Sequence, residues 1–414
     1  MTDSIAHVRA LRVWDSRGLP TIEVEVRTER GHVGRGIAPS GASTGRREAN
    51  ELRDGGPRLG GKDVQRAVAV ANEQVAQALL GHDVADQEGI DNALDALDVD
   101  PARSSVGGNT TTATSLAVLQ AAAASQGVAV WQLLNATPTA LPRPQIQIMG
   151  GGAHAAHRTA VQDFMVVPLS ARNIDEAFAH VAEVYLAVGD VLATRGPKRG
   201  VADEGGYWPE VADTTDALEV IIAGIDKAGF VPGTDIGISL DIAASQFLVN
   251  DTYRVGEVDY STAAWIDLLA GLCRDFPIVT LEDPAGEDDT EGMRLAVAAT
   301  GAVTKVVGDD YLVTDAQRIE QAAVDGAVES VLVKVNQVGT VSGAARAVEA
   351  ARSHGLQVIV SARSGETEDV AVSHLATGWG ADLVKVGSIA RGERTAKWNE
   401  LIRINAALGG LGLR

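Results

Sequence analysis

The chain is short of cysteine, of aromatic residues and of positive charge. A single cysteine among 414 residues, Cys273, excludes an internal disulfide framework and a thiolate-rich metal site, and points to a reducing, cytoplasmic address. Aromatic residues make up only 4 % of the chain, so its core must be aliphatic. The 35 Lys and Arg stand against 55 Asp and Glu, a formal charge of −20 that argues against nucleic acid as a partner. No apolar run approaches the ~18 residues of a membrane span, and the N-terminal stretch through Trp14 lacks the apolar core of a secretory signal. Gly205-Gly206 lacks the spacing of a dinucleotide fingerprint.

What is present divides into two parts. Ile5 to Trp14, Thr21 to Arg27 and His32 to Ile37 are β-branched segments separated by turn signals, and they predict a small antiparallel meander. Val64, Val68, Ala71, Val75 and Leu79 share one helical face, with Asp63 placed to cap the helix and Gly81 to end it. A second helix is expected over residues 111–134. The proline-rich stretch from Pro138 to Pro144 then marks a domain boundary, giving a cap of residues 1–138 and a second domain of residues 139–414.

Beyond Pro144, short aliphatic runs alternate with helical segments. The runs end at Asp241, Glu282, Asp309, Lys334, Ser361-Ala362 and Lys385, at intervals of 41, 27, 25, 28 and 23 residues counted through position 362. Continuous apolar runs suit strands buried on both faces of a parallel sheet, and this spacing predicts a (β/α)8 barrel with its site at the C-terminal strand ends. The competing arrangement is an open doubly wound sheet.

At a barrel mouth, Asp241, Glu282 and Asp309 would converge. An all-oxygen donor set of this kind favours a hard cation such as Mg²⁺. Lys334 and Lys385 lie at later strand ends, where a nearby divalent cation would push an ammonium toward its neutral, basic form. A metal with a lysine suits removal of a proton next to a carboxylate, because the metal stabilises the ene-diolate that forms. Asp203-Glu204-Gly-Gly206 would bring Glu204 to the site from another side as an acid.

These residues resemble the enolase family along essentially the whole chain. The resemblance is carried, in family order, by Asp15-Ser-Arg-Gly-Leu-Pro-Thr21, Ser40-Gly-Ala-Ser-Thr-Gly45, Asp203-Glu-Gly-Gly206, Leu281-Glu-Asp-Pro284, Gly308-Asp-Asp310, Lys334-Val-Asn-Gln-Val-Gly-Thr340 and Ser364-Gly-Glu-Thr-Glu-Asp369. It implies an N-terminal α+β capping domain on a modified TIM barrel, a homodimer or an assembly of dimers, and a small phosphorylated or phosphonylated carboxylate as substrate. By the same resemblance, Asp241, Glu282 and Asp309 hold one Mg²⁺ and Ser43 helps to hold a second. Lys334 is the base and Glu204 the acid. Lys385 holds the substrate carboxylate, Arg363 and Ser364 bind phosphate, and Gln162 and His154 contact substrate.

Three departures stand out. The family's Ser-His-Arg-Ser is here Ser361-Ala362-Arg363-Ser364, and its Gln-Glu-Phe-Met is Gln162-Asp163-Phe164-Met165, so a histidine is missing and a carboxylate is shorter. The loop Ala153-His-Ala-Ala-His157 lacks the family's paired glycines, which predicts a stiffer or differently shaped flap. The expectation drawn from these changes is a divergent member with a larger phosphorus-bearing substrate, similar to the carboxyphosphonoenolpyruvate synthases of phosphonate antibiotic pathways. The alternatives are an ordinary glycolytic enolase and a non-catalytic descendant that keeps the fold.

Overall fold

The computed structural model describes residues 2–197 and 200–414. Strands β1 (Ile5–Trp14), β2 (Pro20–Thr28) and β3 (Val33–Ile37) form the expected meander, antiparallel throughout. The first helical stretch is less regular than its periodicity predicts. It runs as Gln65–Val70, a π-helical turn Ala71–Val75, and Ala76–Leu79. Its N-terminal N–H groups are capped by Asp54, which accepts from Gln65 at 3.0 Å and Arg66 at 2.9 Å. Asp63, the expected cap, instead accepts from Val64 and pairs with Arg12 at 3.0 Å. The second expected helix is broken into Gly108–Gln126 and Val130–Leu134, because Gly127 takes a left-handed φ of +68° that ends the first piece.

Helix Gly108–Gln126 is buried along nearly all its length, since it lies between the cap sheet and the barrel. Its backbone rests directly on β3. A Cβ at Gly34 would lie 2.1 Å from the Ala117 carbonyl oxygen, and one at Gly36 would lie 2.4 Å from that of Ala113. The small residues of both elements therefore make this contact possible.

Eight strands close the barrel. They are β4 (Arg143–Gly150), β5 (Asp163–Pro168), β6 (Ile236–Asp241) and, after a small ribbon of β7 (Leu248–Val249), β8 (Thr252–Val255) and β9 (Val258–Tyr260), the strands β10 (Ile278–Glu282), β11 (Lys305–Gly308), β12 (Ser330–Val333), β13 (Gln357–Ser361) and β14 (Leu383–Ser388). Closure decides against the open sheet. One strand departs from the all-parallel expectation, because β5 pairs antiparallel with both β4 and β6. The 150–162 connection thus stays at the mouth, and Asp163, at the beginning of its strand, faces Asp241, at the end of its own. Helices Ile174–Ala193 and Thr214–Lys227 then form an antiparallel pair whose connection returns to the mouth carrying Glu204. Lys385 differs from its expected place at a strand end, since β14 continues three residues beyond it.

The core is aliphatic, as the scarcity of aromatics requires. One cluster fills the cap, a large one lies between the strands and the outer helices, and a small one, with Val307, Leu332 and Ile359, plugs the barrel interior. Among the described residues no helix is long and apolar enough to cross a membrane. Gly34→Ala forces a methyl group against the helix backbone, so it is expected to lower stability by about 1–3 kcal/mol, read as a lower urea midpoint at unchanged slope.

Candidate active site

The predicted residues, apart from Glu282 and Asp309, line one cavity of about 20 Å³ at the barrel mouth. Those two lie buried at its edge, joined to the cavity by lysines. The Lys385 ammonium stands 2.9 Å from Asp241 Oδ2 and 2.7 Å from Glu282 Oε2, while that of Lys334 donates to Asp309. Gln162 Nε2 donates to Asp241 at 3.0 Å. Lys334 follows β12, which stands four strands around the barrel from β5, so Lys334 and Asp163 come from opposite walls.

On the Asp163 side, His154 Nδ1 lies 2.8 Å from Asp163 Oδ1, and its Nε2 lies 3.8 Å from Glu204 Oε1. Burial alone would lower the His154 pKa, but the charges of Asp163 and Glu204 raise it to about 9. Asp163 is held below the usual carboxylate range, because His154 and Lys385 outweigh its burial. Glu204 is pushed up by burial and by the charge of Asp163, which favours the protonated form an acid needs. The loop is fixed through its backbone. Ser388 N–H donates to the Glu204 carbonyl at 2.9 Å, and Gly206 N–H donates to Gln147 Oε1 at 2.7 Å. Gly205 takes φ +95° with the Ala390 carbonyl beneath it, a place a side chain would not fit.

The expected anion grip is engaged from the cap. Arg363 pairs with Glu48 at 2.8 Å and donates to the Ser43 carbonyl at 3.2 Å, and Ser364 Oγ accepts from Ala42 N–H at 2.6 Å. In the flap, Gly152–Ala155 makes one 3₁₀ turn, then Ala156 and His157 adopt φ values of +50° and +56°. Each such non-glycine residue carries strain of about 1–2 kcal/mol.

The lysines are not poised as bases by the protein groups alone. Burial pulls Lys334 down, yet Asp309 and Glu282 together hold it above its ordinary value, and Lys385 is raised well above its own by Asp241 and Glu282. Even with Lys385 beside it, Glu282 is raised well above the carboxylate range by burial and by Asp241. The mouth therefore carries more buried negative charge than its lysines balance. Oxygen-only donors in that state fit a hard divalent cation, and Asp241, Glu282 and Asp309 are residues that could hold it.

Several residues with a place in the site escaped the sequence reading. Asp283 offers a third carboxylate close to Asp309 and Asp310, but it is spent on their backbone N–H groups at 2.9 and 2.7 Å and so braces the turn that presents Asp309. Gln337 donates to Asp309 at 2.8 Å, and buried Arg394 donates to the Arg363 carbonyl at 2.6 Å. Asp283 and Gln337 lie inside quoted motifs and were within reach. Glu48 and Arg394 carry no local signal.

An α/β barrel with Lys334 and Glu204 set across a carboxylate-rich mouth has the form of a hydro-lyase of the proton-abstraction type. The enolase C-terminal TIM barrel domain matches residues 138–412 and the enolase N-terminal domain matches residues 5–134. The chain is also 44 % identical, over 409 residues, to the enolase of Aeropyrum pernix, covering 98 % of this chain and 95 % of that protein. The chain belongs to the enolase family, whose members are Mg²⁺-dependent carbon–oxygen lyases.

Because the folded His154 value lies above the ordinary 6.5, its pairing adds stability that is complete below about pH 6.5 and is lost as pH rises through about 9. NMR titration of the ring is expected to place its midpoint near the upper figure, and Asp163→Asn to move it down; an unshifted midpoint in that variant would remove Asp163 as the cause.

Proposed function

We propose that the protein dehydrates 2-phosphoglycerate to phosphoenolpyruvate in the cytoplasm, as a homodimer or larger assembly with a cap of residues 1–138 on a barrel of residues 139–414. The observation that carries this reading is the opposition of Lys334 and Glu204 across one buried cavity that also holds Arg363 and Ser364. An identity of 44 % over nearly the full length of a named enolase supports it over a phosphonate substrate, which neither the family domains nor that relative singles out.

In this reading Lys385 neutralises the substrate carboxylate, and Arg363 with Ser364 orients the phosphate. Lys334 Nζ, in its neutral form, takes the proton from C2. That C–H pair becomes the new C=C bond as the C3–O bond breaks, and Glu204 gives its proton to the departing hydroxyl so that water leaves. Asp163 and His154 act through Glu204, holding its charge and position. Asp241, Glu282 and Asp309 would hold Mg²⁺, with Ser43 contributing to a second ion, and the metal would supply positive charge beside the substrate carboxylate. Loss of the donor normally present at position 362 leaves phosphate binding to Arg363 and Ser364.

The acid and base are separable by experiment. Lys334→Ala is expected to lose both exchange of the C2 proton with solvent deuterium and elimination, each by about 10²–10⁴-fold. Glu204→Gln is expected to lose elimination while exchange persists. Wild-type protein with Mg²⁺ that neither exchanges nor dehydrates 2-phosphoglycerate would overturn the reading.

A further inference from the structure

Gln246 has no part in the reaction as proposed above, yet its side chain joins the flap to the end of β6. It sits in the single 3₁₀ turn Ala244–Phe247, which follows that strand by way of Ala243, held at φ +48°. The turn is anchored through Ser245, whose Oγ accepts from Glu287 N–H at 2.9 Å. From there the half-buried Gln246 side chain reaches two partners. Its Oε1 accepts from Ala153 N–H of the flap at 3.2 Å, and its Nε2 donates to Gln162 Oε1. Gln162 Nε2 in turn donates to Asp241 Oδ2 at 3.0 Å.

The sense of this run of hydrogen bonds is fixed at both ends. A backbone N–H can only donate and an ionised carboxylate can only accept, so the two amides between Ala153 and Asp241 have one arrangement in which every group is paired. Were either amide turned over, it would set donor against donor on one side and acceptor against acceptor on the other. Elsewhere in the flap, Gly151 and Ala155 donate to the backbone carbonyls of Gln162 and Gly151 at 2.7 and 2.9 Å, whereas at Ala153 the acceptor is a side chain. We propose that Gln246 is a positioning residue, which turns the Gln162 amide so that its NH₂ faces Asp241 and pins the flap next to His154. Gln162 lines the active-site cavity and Gln246 does not, so the effect on the reaction passes through Gln162. This rests on the function proposed above, since that reaction takes place in the cavity Gln162 lines.

The test uses Gln246→Met, which keeps the length of the side chain and removes both of its hydrogen bonds. Without metal or substrate, NMR is expected to show hydrogen exchange at the Ala153 amide and the Gln162 side-chain NH₂ faster by about tenfold, while the Gly151 and Ala155 amides keep their rates. With Mg²⁺ and 2-phosphoglycerate, kcat/KM should fall about tenfold, the scale of one lost hydrogen bond. The separate changes in kcat and KM should match those of Gln162→Met, and in the double variant the substitution at position 246 should cost nothing further. A residue that only packs the flap would add its own loss there. If thermal melts show that the Met variant has failed to fold, Gln246→Ala decides. Unchanged exchange at Ala153 and Gln162, or losses that add in the double variant, overturn the proposal. Wild type that does not dehydrate 2-phosphoglycerate overturns the underlying reading instead, and the exchange rates still decide the role of Gln246, so the two failures are distinguishable.

Discussion

The mouth of the barrel depends on two ammonium groups buried among carboxylates. Lys385 joins Asp241 to Glu282, and Lys334 ties down Asp309, so three strand ends that would repel one another are held in register. Removing one partner of such a buried pair costs about 3–5 kcal/mol, because the other charge is left without compensation. The balance is incomplete even so, and the remaining negative charge gives the site its affinity for a cation. For Lys334, the base of the proposed reaction, structural and catalytic demands therefore oppose each other, because the carboxylates around it also keep it protonated; for Lys385 the two demands agree.

The reversed strand β5 resolves a geometric problem. In an all-parallel barrel, Asp163 would begin its strand at the closed end, away from the chemistry. Reversal places it at the mouth opposite Asp241 and turns the preceding loop, with His154, over the cavity. The same reversal leaves two helices to span the way to β6, and the turn between them delivers Glu204. Glu204 and Lys334, the acid and base of the proposed reaction, thus come from different kinds of connection, the first between helices and the second at a parallel strand end.

Contacts between cap and barrel finish the site. Glu48 and Ser43 reach Arg363, and the Ala42 N–H reaches Ser364, so the loop from the first domain closes the anion end of a cavity built mainly by the second. The close approach of Gly34 and Gly36 seats helix Gly108–Gln126 directly on β3. Ala156 and His157, by contrast, hold the His154 loop in conformations that glycine would accept without strain.

By itself the sequence determined the barrel and most of its mouth. A strand buried on both faces reads as a continuous apolar run, and the polar residue after each run in a parallel barrel must fall on the same rim. Hence Asp241, Glu282, Asp309 and Lys334 were legible from spacing, and motif order carried the family. Only the tertiary structure decided the direction of β5, the break at Gly127, the capping by Asp54 rather than Asp63, and the pairing of Arg363 with Glu48, 315 positions away. These outcomes depend on which partner comes within hydrogen-bond reach once the chain has folded. Local periodicity records how a segment buries its own face and carries no information about the segment that will lie against it.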